Sequence, residues 1–197
     1  MSRRAERRER RQNRREQRRA NRRAAVRGGE RPDTGEWDRY KMTQRLVSVG
    51  DDYVVENQVG VAVFEVDGKA LRLRETLKMT DLGAGDEYRI QERVARARET
   101  MTVEKNGERA ATIHKAVVSP IRDRFSVSVP GMPTTLVVGN VLDYEYRMVR
   151  DGERIAEISK DWFRLRDSYG IEVAPETDAG VLIACTVALD MMVNPKR

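Results

Sequence analysis

The sequence predicts a mainly β fold, in which about twelve antiparallel strands close into a barrel around a central hydrophobic α-helix at the C-terminal end, behind an arginine-rich N-terminal tail. Three observations predict it. Short runs alternate apolar and polar residues, two-residue turn sequences recur between them, and one C-terminal segment is apolar on every side of a helix. A chain of 197 residues is long enough for one domain with a sizeable core.

The tail differs in composition from the rest of the chain. Residues 1–31 contain fourteen Arg and four Glu, a net charge of +10, whereas the remaining residues carry 24 Lys and Arg against 28 Asp and Glu, a net of −4. Almost no apolar side chain precedes Trp37, so the tail cannot offset its ordering entropy. We expect it to be disordered or a fluctuating helix, with a linker at Gly28-Gly29 and Pro32.

The arginines of the tail are not randomly placed. At about 100° per residue, ten of them fall on one broad arc of a helix. They are Arg3, Arg4, Arg7, Arg8, Arg11, Arg14, Arg15, Arg18, Arg19 and Arg22. We predict that this arc binds a polyanion, and we divide the chain into residues 1–38, tail and linker, and residues 39–197, the barrel domain.

The rest of the chain has the alternating residue pattern that is typical of antiparallel sheets. Residues 100–104, 125–129 and 169–173 alternate with a period of two, which predicts strands with one buried and one wet face. Two-residue hairpin turns are predicted about 40 residues apart, at Asp67-Gly68, Asn106-Gly107 and Asp151-Gly152. Similar segments follow these turns, which indicates an internal repeat. A barrel of about a dozen strands has no edges, but it is too wide for its own side chains to fill.

The apolar C-terminal segment can fill that lumen. It spans residues 179–193, and Asp178 is the predicted N-cap. About fifteen residues that include Asp190 are too few for a bilayer span, so we expect a buried structural helix and no transmembrane segment. Cys185, the single cysteine, lies on this helix, where a buried thiol is inert packing. Without an internal disulfide, the chain fits a reducing, cytoplasmic compartment.

No catalytic constellation is recognisable, and we expect a non-enzymatic protein without cofactor or metal. His114 has no second histidine and is expected at a sheet surface. Residues 81–86 resemble a phosphate loop but lack its lysine and lead into a strand, so we predict a flexible hairpin loop. Asp190 is expected to reach water or a partner at the barrel rim. Trp162-Phe163 is expected to be core packing rather than an exposed interfacial pair.

The C-terminal part of the chain resembles a known family. It carries Tyr144-Glu-Tyr146, Asp151-Gly152, Ala156-Glu-Ile-Ser-Lys160 with Trp162-Phe163, Asp167-Ser-Tyr-Gly170 and the apolar helix ending in Leu189-Asp190. With these residues it resembles the LURP-one-related family, also called the scramblase-like or tubby-like C-terminal superfamily. The earlier repeats fit more loosely, so the resemblance covers about residues 40–193 and excludes the tail. It implies a twelve-stranded barrel around a central C-terminal helix.

The resemblance also implies lipid-directed functions. Tubby-like relatives bind phosphoinositide head groups through basic residues that do not map onto this sequence. Scramblase relatives are described as moving phospholipids with calcium, and they carry acidic residues before the final helix. Asp167, Glu172, Glu176 and Asp178 lie in that region, but a tyrosine and an isoleucine occupy positions that a calcium loop needs to be acidic. We expect three surface carboxylates and a helix cap instead.

The leading expectation is a non-enzymatic, cytoplasmic binding module that associates peripherally with an anionic phospholipid or membrane surface. RNA binding by the tail is the alternative from another class, because arginine-rich helices fold on RNA and guanidinium groups match phosphates. A protein-interaction scaffold and a solvated tail with no fixed partner also remain open. The absence of Trp, Phe or Leu opposite the arginines argues against a tail helix that inserts into the bilayer.

Overall fold

The computed structural model describes residues 29–32, 35–44, 53–71, 76–93, 99–116, 125–160 and 168–194. Within these ranges the elements are β1 (Asp38–Gln44), β2 (Tyr53–Asn57), β3 (Ala62–Leu71), β4 (Thr76–Asp81), β5 (Glu87–Glu92), β6 (Thr100–Lys105), β7 (Glu108–Lys115), β8 (Phe125–Ser128), β9 (Thr135–Asn140), β10 (Glu145–Arg150), β11 (Glu153–Ser159), β12 (Ser168–Val173) and α1 (Ala179–Val193).

The strands form one closed barrel. Each strand pairs antiparallel with its neighbours along the chain, and β1 pairs with β12 to complete the ring. The predicted barrel of about twelve antiparallel strands is therefore confirmed. One end, here the entry end, carries the β2–β3, β4–β5, β6–β7, β8–β9 and β10–β11 turns and the starts of β1 and α1. The opposite end, here the exit end, carries the β9–β10 turn and the C-terminus of α1.

Helix α1 fills the lumen as predicted. Its side chains join the core that the inward-facing strand residues form, and twelve of its fifteen residues are buried. The predicted cap is present, because Asp178 Oδ1 accepts a hydrogen bond from the backbone N–H of Val181 at 3.0 Å. A helix with no polar face is stable only when it is enclosed in this way. The helix thereby replaces the water that a barrel of this width would otherwise admit.

Two of the three predicted turns are confirmed and one is wrong. Asn106-Gly107 and Asp151-Gly152 connect β6 to β7 and β10 to β11 with the positive φ angles of a type I′ turn. Asp67-Gly68, however, lies inside β3, where the β3–β4 register is irregular. An irregular register tolerates glycine within a strand. The turn of the first repeat lies ten residues earlier, at residues 57–61, where the Asn57 side chain shapes it.

Of the three strands predicted to have one wet face, β8 has one, whereas β12 and the first four residues of β6 are buried on both faces. In β8, Phe125 and Val127 are buried while the serines between them are half-buried. All residues of β12 are buried on both faces. Part of this cover is the chain just before β1, because Arg31 forms an ion pair with Glu172 of β12 at 2.8 Å. The backbone of Glu30 is bonded to the β10–β11 hairpin, where its N–H donates to Gly152 O at 3.1 Å and its carbonyl accepts from Arg154 N–H at 2.8 Å. Of the predicted linker, residues 29–32 therefore lie against the barrel.

The fit of α1 against the barrel wall yields a stability prediction at Gly180. A Cβ atom there would lie 2.1 Å from the hydroxyl of the buried Tyr88. Helix propensity alone favours Ala over Gly by about 1 kcal/mol. We expect Gly180→Ala instead to lower the free energy of unfolding by about 1–3 kcal/mol, because the added methyl overpacks the lumen. Denaturant unfolding measures it.

The matched control is Gly83→Ala in the exposed β4–β5 turn, where a Cβ meets Asp81 Oδ1 at 3.4 Å. This change should alter stability by less than about 0.5 kcal/mol. Stabilisation by Gly180→Ala would show that α1 is loosely packed and would contradict the account.

Candidate functional site

The predicted polyanion site lies outside the described residues. All ten arginines of the arc, from Arg3 to Arg22, precede Gly29, the first residue that the structure describes. The structure does show where the tail joins the barrel. We call residues 29–32 and 35–37 the anchor segment, because they contact the barrel between the tail and β1.

The anchor segment is held by a buried carboxylate. Glu172, on the outer face of β12, is 4% exposed and receives the guanidinium of Arg31 at 2.8 Å and Nε of Arg39 at 2.7 Å. Arg31 also lies over the ring of Trp37, 4.5 Å from its centroid. The prediction that Glu172 is a surface carboxylate is wrong, because the two arginines cover it. A buried carboxylate requires such partners, so Arg31 belongs to the barrel rather than to the polyanion-binding arc.

The path of the anchor segment places the origin of the tail. At Gly29, whose φ is +72°, a Cβ atom would meet the side chain of Val149 at 3.0 Å, so the backbone lies tight against β10. At the other end of the segment, Gln58 Nε2 donates to the carbonyl of Trp37 at 3.3 Å. The segment therefore spans the entry end from the β10–β11 turn to the β2–β3 turn. The tail emerges at the entry end.

Apolar side chains project from the same end. Val59 is 81% exposed, Val61 56%, Leu82 50% and Met132 53%, on the β2–β3, β4–β5 and β8–β9 turns. They are four of the five large apolar residues that are exposed in the described part of the chain; the fifth, Leu142, lies at the exit end. Sequence reasoning missed them. The available signal was a pair of valines beside Gly60, where polar turn residues are the rule.

One cluster of paired charges lies at the entry end. Lys105 lies between Asp86, at 3.0 Å, and Asp178, at 3.1 Å, and its pKa is raised, first by the hydrogen bond to Asp86. The pKa of Asp86 is lowered, mainly by the hydrogen bond from the Asn106 amide. This cluster joins two turns to the start of α1. Glu176 is exposed, as predicted.

The described part of the chain contains no group of three or more His, Cys, Asp or Glu side chains arranged to hold a metal ion. The fourth residue of the predicted acidic set, Asp167, lies outside the described residues, as does Trp162-Phe163.

A polar cluster closes the lumen at the exit end. Asp190 is 4% exposed and accepts hydrogen bonds from the hydroxyl of Tyr53 at 2.5 Å and from the hydroxyl of Tyr144. The Asn194 amide donates to the same carboxylate at 2.8 Å. Of the two expectations for Asp190, water or a partner at the rim, the structure shows the partner. The ring of Tyr144 stacks on that of Tyr169, with centroids 4.4 Å apart.

This cluster is suited to holding α1 and not to proton transfer. Burial raises the pKa of Tyr146 and of Tyr169, and the Asp190 charge adds to both effects. The phenols therefore stay protonated at neutral pH and serve as hydrogen-bond donors.

The remaining candidate residues lie where a structural role explains them. Cys185 is fully buried, and burial raises the pKa of its thiol to about 12, so the thiolate is not formed at neutral pH. His114 lies on β7, half-buried, with Nδ1 3.4 Å from the hydroxyl of Thr100. Residues 81–86 contain the β4–β5 hairpin, as predicted, but hydrogen bonds to Asp81 Oδ1 hold its shape, so it is not the flexible loop that we expected. The helix that the described residues form is not long and apolar enough to cross a membrane.

Comparisons with known proteins agree on the barrel. The family model described as LURP-one-related matches residues 39–190. A protein of Bacillus subtilis (strain 168), described as uncharacterized protein YxjI, is 24% identical over 152 residues, which cover 77% of this chain and 91% of that protein. An X-ray structure of a protein from Arabidopsis thaliana aligns with a TM-score of 0.56 at 14% identity, covering 79% of this chain and 92% of the plant protein. That likeness shows the fold alone.

The cluster at the exit end predicts a coupled effect on stability. Asp190→Leu removes the acceptor of two tyrosine hydroxyls, so we expect the free energy of unfolding to fall by about 1–3 kcal/mol or more. In a double-mutant cycle, Tyr53→Phe should couple to Asp190→Leu by at least about 0.5 kcal/mol. Tyr88→Phe, at the opposite end of α1, is the control and should be additive. Additivity in both cycles would contradict the shared network.

Proposed function

The chain belongs to the LURP-one-related family, and we propose that it is a non-enzymatic binding module that associates peripherally with anionic phospholipid at the cytoplasmic face of a membrane. One observation carries the proposal. The arginine-rich tail joins the barrel at the end from which apolar side chains project, so charge attraction and apolar contact act on one side of the molecule.

The tail supplies the electrostatic attraction. Residues 1–28 carry thirteen Arg and three Glu, a net of +10. Each basic residue near an anionic leaflet contributes about 1 kcal/mol, and this attraction decays within a Debye length of about 8–10 Å. The rest of the chain is net negative and is repelled by the same surface. Affinity therefore depends on the tail, while the barrel sets how the protein sits on the membrane.

The barrel supports a binding role rather than catalysis. The cysteine thiol is buried and protonated, the described tyrosines of the exit end act as hydrogen-bond donors, and His114 pairs with a threonine at a strand. None of these groups lines an open cleft with a second reactive group beside it, within the part of the chain that the structure describes.

RNA binding by the tail remains the second candidate because the basic residues of the tail are all arginine. Guanidinium groups form two-pronged contacts with phosphates that lysine does not form. A lipid surface, in contrast, responds chiefly to charge. Replacing arginine with lysine therefore separates the two partners.

The test uses sedimentation with vesicles of phosphatidylcholine alone and with added phosphatidylserine, and a structured RNA hairpin, at one near-physiological ionic strength. We expect the full-length chain to prefer the anionic vesicles, and removal of residues 1–28 to weaken this binding at least tenfold. A variant with all ten arc arginines replaced by lysine should keep lipid binding, because its charge is unchanged. The matching glutamine variant should lose it.

Four results would contradict the proposal. Equal binding to neutral and anionic vesicles would remove the electrostatic basis. Undiminished binding without the tail would place the site on the barrel. Tail-dependent RNA binding that lysine cannot support, without preference for anionic vesicles, would make RNA the partner. Binding to neither would leave a solvated tail and a protein-interaction scaffold.

A further inference from the structure

We infer that the barrel meets the bilayer with its entry end, and that Val59, Val61 and Leu82 enter the head-group region of an anionic membrane. We call these three residues the apolar tip. The inference rests on the proposed function and deepens it, because it assigns to the barrel a membrane contact of its own. The alternative is that only the tail binds the membrane and the barrel does not contact lipid.

The apolar tip is a single surface on two neighbouring turns. Val59 and Val61 flank Gly60 on the β2–β3 turn, and Leu82 opens the β4–β5 turn. The β4–β5 turn lies beside the first residues of β3, which follow the β2–β3 turn, because the N–H of Leu82 donates to the carbonyl of Val63 at 2.9 Å. All three side chains are at least half exposed. In water this exposure is unfavourable, and insertion between lipid head groups removes it.

Both turns are held in shape by a side chain. Asn57 Oδ1 accepts hydrogen bonds from the N–H groups of Val59 and Val61 at 3.1 and 3.0 Å. Asp81 Oδ1 accepts from the N–H groups of the two residues after Leu82, both at 2.8 Å. The apolar side chains are therefore presented by ordered backbone. A preorganised surface loses little conformational entropy when it binds.

The position of the tail indicates that the partner of the apolar tip is a membrane. The anchor segment lies along the outer wall at the entry end and reaches the β2–β3 turn, where Gln58 bonds to the carbonyl of Trp37. Twenty-eight residues with a net charge of +10 precede Gly29 at this same end. When those residues are drawn to an anionic leaflet, the entry end is the part of the barrel brought nearest to it.

Carboxylates beside the apolar tip lead us to expect that it does not bind alone. Glu36 and Asp38 line a hollow of about 340 Å³ together with Val59 and with Arg39, whose guanidinium is bound to Glu172. The two carboxylates are repelled by anionic head groups, so the apolar tip should contact lipid only when the tail offsets the repulsion. The two elements are therefore expected to act together, with the tail needed for binding and the apolar tip for depth and orientation.

The experiment places a polarity-sensitive nitrobenzoxadiazole label at each end of the full-length barrel. Val59→Cys carries it at the apolar tip, and Leu142→Cys, 57% exposed at the exit end, is the matched control. The native Cys185 is fully buried with a raised pKa, and the unsubstituted chain should take up no label. On vesicles with phosphatidylserine, we expect the Val59 label to shift to the blue and to be quenched by nitroxide lipids, and the Leu142 label to stay unchanged.

An affinity measurement complements the label. Val59→Asp with Val61→Asp in the full-length chain should weaken binding to anionic vesicles at least threefold and leave salt dependence in place, whereas Leu142→Asp should not change it. Thermal unfolding of each variant should match that of the native chain, since these positions are exposed.

The outcomes separate the two proposals. Tail-dependent binding with both labels in water, and with no loss from the aspartates, overturns this inference and leaves the proposed function standing. A response of the Leu142 label alone reverses the orientation and also overturns it. A Val59 shift that depends on protein concentration without vesicles shows that a second copy covers the apolar tip, again overturning it. Failure of the full-length chain to bind anionic vesicles overturns the proposed function and this inference together.

Discussion

The filling of the barrel lumen is the constraint on which the rest of the structure depends. Twelve strands closed into a ring enclose more space than their own inward side chains occupy, and an unfilled apolar cavity is costly. Helix α1 resolves this because it has no polar face to keep in water. Each of the two elements needs the other, since the sheet without the helix is hollow and the helix without the sheet exposes its apolar surface.

A filled and closed barrel has only its two ends and its outer wall for function. The two ends differ in the polarity and exposure of their side chains. At the exit end a buried carboxylate and tyrosine hydroxyls fix the last turn of α1. The entry end carries turns with exposed apolar residues and, at the β10–β11 turn, the point at which the tail begins. Binding residues placed on turns over a rigid scaffold can be tuned without disturbing the core.

The features predictable from the sequence are those encoded locally. The period-two strands, the turns Asn106-Gly107 and Asp151-Gly152, the cap Asp178 and the helix over residues 179–193 each depend on neighbours within a few residues. The errors arise where distant segments decide. Asp67-Gly68 has turn chemistry, but Asp67 pairs with Lys78 of β4 and the pairing resumes at Leu71, so the dipeptide lies at an irregularity within β3 and not at a turn. The β12 alternation predicts a wet Glu172, and the anchor segment, 141 residues away, covers it.

At the candidate site, too, some features are encoded locally and others depend on distant segments. The charge of the tail and its separation from the barrel are readable from composition, whereas the end at which the tail joins depends on a hydrogen-bonded contact between Glu30 and the β10–β11 turn. The apolar tip was missed because two valines in a turn cannot be connected with the tail until both are known to lie at the same end of the barrel. The link between these valines and the tail depends on side-chain exposure and on the path of the chain, and both are tertiary properties.

The dependence of the barrel on its helix can be measured directly by removing residues 179–197 and following far-ultraviolet circular dichroism during heating. The account predicts loss of the cooperative thermal transition, because the truncated barrel has an apolar lumen open to water. A chain that ends after Asn194 keeps α1 and controls for truncation itself; it should melt as the full chain does. An intact β-domain that still melts cooperatively without residues 179–197 would contradict the account.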